Sequence, residues 1–151
     1  MYTDLNETGT AHCNYIAEQI RQEEDVIVRL ERFFEAGFAF VLDRPRHGQV
    51  LFATLQGADA KFKEHLSQIY QPLFQILSEE ILIPGIAQGV FYTLDPVGTS
   101  VMIMTFFLGI GSTVDENGKT PLDLKEVAAF VLRALGAKPR TDAMKTYTKE
   151  R

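Results

Sequence analysis

Between Asp95 and Asp115 the chain carries no charged residue over 19 positions, Pro96 to Val114. A stretch so apolar must be covered by a membrane, by the chain's own core or by another chain. Its length alone allows a membrane span. However, Pro96, Gly98, Thr99, Ser100, Gly109, Gly111 and Ser112 dilute it, and the dense apolar part is only Val101 to Ile110, too short for a bilayer. The sequence therefore predicts a helix buried in a core or an interface, with no membrane association.

The rest of the chain has helical periodicity. Asp25 to Leu42 places Val26, Leu30, Phe33, Phe34, Gly37 and Val41 on one face, with Ile27, Phe38 and Phe40 widening it. Asp43-Arg44-Pro45 ends that run, because the residue before a proline is pushed out of the helical region. Residues 49–55 form a short apolar run, read as a short helix ending near Gly57. Ala58 to Ile81 predicts a long helix with stripes at Phe62, Leu66, Ile69, Leu73, Ile76 and at Tyr70, Phe74, Leu77, Ile81. Pro72 lies inside it and predicts a kink. Asp95-Pro96 reads as an N-cap followed by proline at the first helical position, opening a helix to about Thr113. Asp115 to Lys119 is a turn. Thr120 is the predicted cap of a last helix carrying Leu124, Val127, Ala128, Val131 and Leu135, stopped by Gly136. Residues 10–22 add one more helix, with Cys13, Ile16, Ala17 and Ile20 on one side. The expectation is an all-α bundle of about six helices in one domain over residues 10–137. A flexible terminus at 1–9 and a flexible basic tail at 138–151 flank it.

At 46% hydrophobic and 23% charged the composition is that of an ordinary globular domain. Residues 138–151 hold five cations and two anions, a net +3, so residues 1–137 carry −8 and the whole chain −5. Direct nucleic-acid binding is not expected from so acidic a domain, because phosphate contacts need a basic face. The single cysteine, Cys13, rules out an intrachain disulfide and fits a reducing, cytoplasmic setting. His12, His47 and His65 lack the spacing of a helical metal pair, so no metal and no cofactor are expected. The acidic pairs Glu23-Glu24 and Glu79-Glu80 diverge on their helices and read as solvated faces. No nucleophile elbow or phosphate loop is present, so the chain is not read as an enzyme.

Eleven Phe and five Tyr stand out against this absence. Most must fill the core. A subset (Phe34, Phe38, Phe52, Tyr70 and Phe74, with Gln71 and Tyr70 as polar handle) is the candidate lining for a small apolar or aromatic ligand beside the Pro72 bend. The last two helices are the candidate two-fold interface of a homodimer, through Val101, Met104, Thr105, Leu108, Ser112, Leu124, Val127 and Val131.

The block Gly85-Ile86-Ala87-Gln88-Gly89-Val90-Phe91-Tyr92-Thr93-Leu94-Asp95-Pro96, after a long helix and before an uncharged one, resembles the carboxy-terminal domain of TetR-family transcriptional regulators. There a "G-x-x-x-G-x-F" segment with a following Asp-Pro often links the central helix to the first dimerisation helix. Pro121 to Leu135 fits the second. The resemblance covers residues 10–137 and departs from the family in one respect. Members begin with a basic helix-turn-helix of roughly fifty residues, whereas residues 1–20 here contain no Lys or Arg. The resemblance thus implies the sensor half of such a regulator, with an effector cavity among the helices at 10–81 and a homodimer through 95–113 and 121–136. The alternative is a standalone helical carrier or sensor for an apolar ligand, unconnected with transcription.

Overall fold

A computed structural model describes residues 2–46, 49–50, 53, 57 and 59–137. The predicted short helix at 49–55, the lining residue Phe52 and the tail at 138–151 therefore lie largely or wholly outside the described residues. Those described are helical, with no strand among them. Helix α1 spans Tyr2–Arg21, α2 Val26–Asp43 and α3 Ala60–Gln75. A π-helical segment, Ile76–Leu82, continues α3 directly into the short α4, Ile83–Ala87. Helix α5 spans Pro96–Ile110 and ends in a 3-10 turn at Gly111–Thr113, and α6 spans Leu124–Ala134.

Most boundaries follow from local chemistry. Asp25, Asp59, Asp95 and Asp123 each accept a hydrogen bond from a backbone N–H of the first turn they open. Two predicted starts move. Helix α1 begins at Tyr2 instead of residue 10, so residues read as a flexible terminus are helical. Helix α6 begins at Leu124 under Asp123. The Thr120 hydroxyl caps only a turn, accepting from the Leu122 N–H and pairing with Thr113.

Helix α1 packs on α2 and α3, α2 also packs on α6 and on the π segment, and α5 lies against the π segment and α3. The centre is dry. Ile16, Ile20, Leu30, Phe33, Leu66, Leu73, Leu77, Ile81, Leu82 and Leu132 are fully covered. Each such side chain contributes roughly 1.5–3 kcal/mol, which is what holds helices of mixed propensity together.

The glycine-rich block after α3 is a helix stop. Gly89 adopts φ +72°, its N–H donates to Ile86 O, and the Val90 N–H reaches Gly85 O at 2.8 Å. This is the two-bond Schellman ending. The Phe91 N–H shares Gly85 O, and its ring lies where a Cβ on residue 85 would come within 2.1 Å. The next residue, Tyr92, donates its N–H to Leu135 O, at the end of α6, where Gly136 builds a second ending of the same kind. Two helix ends are thus joined immediately before Asp95 starts α5. Gly89→Ala is expected to destabilise the fold by about 1 kcal/mol, the cost of a Cβ at positive φ. Urea unfolding would register this, and an unchanged midpoint would contradict it.

Candidate functional site

The stripe of α1 through Cys13, Ile16 and Ile20 takes in His12, one turn before Ile16 and 2% exposed. Tyr70 of α3 meets it, with its O–H 2.7 Å from His12 Nδ1. On the other side, His12 Nε2 lies 3.3 Å from Gly37 O of α2. A carbonyl only accepts, so the proton sits on Nε2, and Nδ1 is free to accept from the phenol. One neutral tautomer satisfies every polar atom of the pair.

Aromatic rings enclose this pair. Phe40 stacks on the imidazole at 4.4 Å between centroids, and Phe107 of α5 lies 6.0 Å away at a shallow angle. The Arg44 guanidinium covers the outer side of Phe40, 4.5 Å from its centroid. Phe107 also meets Phe33 and Phe34. It reaches this depth because position 37 has no side chain, since a Cβ there would fall 2.2 Å from the ring.

Burial fixes the protonation states. It pushes His12 down to about 4, against the pull of its bond to Gly37 and with help from the Arg44 charge. It pushes the Cys13 thiol up to about 12 and holds Tyr70 well above the ordinary phenol range. Cys13, half-turned toward Ile69 O at 3.6 Å, is an inert apolar filler. At neutral pH the cluster is uncharged, and it suits recognition of neutral chemistry better than proton transfer.

Of the candidate lining residues, Phe34, Phe38 and Tyr70 are buried, and Phe74 is half-buried against the core. Gln71 is exposed and does not join Tyr70 inside, because adjacent helical positions diverge by about 100°. The sequence reading missed His12, Gly37, Phe40 and Phe107 as one constellation. Only the stripe of α1 pointed to His12. Among the described residues, no group of three or more His, Cys, Asp or Glu is placed to hold a metal.

No family model, curated protein or solved structure matches the chain.

A second feature lies on the outside. Val97, Val101, Met102 and Phe106 of α5 are exposed at one to two thirds of their surface, and Leu122 and Phe130 are exposed as well. Phe106 and Phe130 touch, 5.8 Å between centroids. Tyr92 and Leu94, in the segment that leads into α5, are exposed too. This redraws the candidate interface. Val101, Thr105 and Ser112 remain exposed, but Met104, Val127 and Val131 are buried within the monomer, and Leu108 and Leu124 pack partly against its core. Pro96–Thr113 is long and apolar enough to cross a membrane by length and composition, with 33% of that window buried inside the chain.

Proposed function

We propose that this chain is the small-molecule-sensing and dimerisation domain of a TetR-like transcriptional regulator, working in the cytoplasm on a neutral apolar or aromatic effector. The observation that carries this reading is the two-sidedness of α5. Phe107 turns inward onto His12, while the preceding residue, Phe106, turns outward onto Phe130, on the exposed side of a helix, α5, that carries no charge along its length. One helix therefore borders both an aromatic interior with a single polar handle and a surface that water covers poorly. A face without charge is complementary to a second copy of itself, and a two-fold pairing covers both at once. With the phenol proton and both ring nitrogens of His12 engaged, the handle left for an effector is the Tyr70 oxygen, an acceptor among rings, which suits a neutral hydroxyl and disfavours anions.

Sedimentation of the full chain with a panel of neutral aromatics (naphthalene, 1-naphthol, biphenyl) tests the reading. A dimer is expected, with saturable binding of at least one of these compounds. Met102→Glu places two carboxylates in the pairing face and is expected to weaken the dimer by roughly thirtyfold or more, the effect of losing about 2 kcal/mol at an interface centre. Binding by a chain that stays monomeric would favour a standalone carrier instead. A monomer that floats with phosphatidylcholine vesicles and binds none of the panel would overturn the proposal.

A further inference from the structure

The join between α3 and α4 departs from ordinary helix. Ile83 donates its N–H five residues back, to Ser78 O, and the π segment Ile76–Leu82 holds one residue more than an α-helix of the same rise. At its start the Ile76 N–H reaches both Leu73 O and Pro72 O. Such a register is rare in helices and usually gives way to α unless its surroundings hold it.

Here the hold comes from outside the helix. Pro84 has no N–H, so Glu80 O loses the donor that an α register would supply. Arg29 replaces it. Its Nη1 donates to Glu80 O at 3.0 Å, while its Nε donates to Glu23 O at 2.6 Å in the turn between α1 and α2. Arg21, the last residue of α1, binds the Glu80 carboxylate through two nitrogens at 3.2 Å each. Both ends of Glu80, peptide and side chain, are therefore tied to the α1–α2 corner. The buried side of the segment, Ile76, Leu77, Ile81 and Leu82, carries no polar tie of its own.

We infer that the π segment is a two-state register joint, clamped at Glu80 by Arg29 and Arg21. When the clamp opens, the extra residue moves along the helix toward α4, and each side chain it passes turns by about 100° and shifts by about 1.5 Å. The joint lies between α3, which carries Tyr70, and the Gly85–Phe91 stop that sets the entry to α5. A shift there changes how the interior and the exposed face of α5 sit relative to each other. The inference goes beyond the sensor reading and needs neither a ligand nor a dimer.

Amide hydrogen exchange on the full chain tests it. Arg29→Met keeps the aliphatic stem and removes the donors. Exchange over residues 77–87 is expected to speed up by about tenfold or more, with Ile16, Ile20 and Leu132 unchanged. Unchanged rates over 77–87, or an equal rise across the whole chain, would overturn the joint. A chain lacking the exposed Glu79 removes the extra residue. It is expected to fold with its helix content intact and to make Arg29→Met silent over the same amides. If that chain does not fold, the seven-residue register is demanded by packing and the joint is refuted as well.

Discussion

Phe107→Ala is expected to cost about 3–5 kcal/mol of folding free energy, as removal of a buried ring does, and to lower the thermal midpoint by roughly 10 °C. The ring, carried on α5, packs against two other helices, α1 and α2. It meets Phe33 at 4.7 Å, Phe34 at 6.0 Å and His12 at 6.0 Å between centroids. Its seat depends on Gly37, whose missing side chain leaves the space that the ring fills. The two positions are therefore expected to couple with a change of sign. In the native chain, Gly37→Ala drives a methyl into the ring and costs about 1–3 kcal/mol of overpacking. In the Phe107→Ala background the same methyl enters vacated space, and alanine's better helix propensity, about 1 kcal/mol over glycine, makes it stabilising. A double-mutant cycle by urea unfolding at one fixed protein concentration measures this. Additive losses at the two positions would show that Phe107 is not seated on Gly37.

The division between what the residues reveal and what they hide is physical. Asp25 and Asp95 mark their helices because an N-cap is a local event, decided by one carboxylate and the nearest free N–H groups. The start of α6 was misplaced because two capping residues three apart compete, and Asp123 takes the helix while Thr120 takes a turn. Stripes such as Val127–Val131 locate a buried face but do not say what covers it. The structure assigns that face to the monomer's own core. Helix α5 gives no phase at all, since it is apolar on nearly every side, so its outward residues could only be guessed. The π segment is silent for a related reason, because the helix carries two neighbouring apolar stripes and a step of about 100° from one to the other leaves an apolar residue at the core. The register depends on Arg29, some fifty residues upstream. The site itself was half visible. Tyr70 stood out as a buried-face tyrosine, whereas its partner His12 is a polar residue on an apolar stripe, and only the fold supplies the carbonyl of Gly37 that makes such a burial tolerable.

That burial carries the second large effect, a loss of stability in mild acid. An ordinary histidine titrates near 6.5, and His12 in the folded chain is pushed down to about 4. Between these two values the unfolded chain binds a proton that the folded chain refuses, so stability must fall as pH falls. The contribution is complete above pH 6.5 and is lost by about pH 4. At about 1.4 kcal/mol per pH unit it amounts to about 3 kcal/mol, and His12 is too deeply buried for solvent to screen it. Protonation would also turn Nδ1 into a donor, so the Tyr70 oxygen must accept from it and the phenol O–H loses the acceptor it has in the neutral pair. Carboxylates titrate in the same range, and the comparison that isolates His12 is with His12→Asn, whose amide carries no proton equilibrium. The native chain is expected to lose about 3 kcal/mol more than the variant between pH 7 and pH 4, whatever their difference at neutral pH. In parallel, the His12 ring protons should titrate by NMR with a midpoint near 4. A midpoint near 6.5 would mean that water reaches the ring, and the enclosed neutral pair on which the sensor reading rests would then not exist.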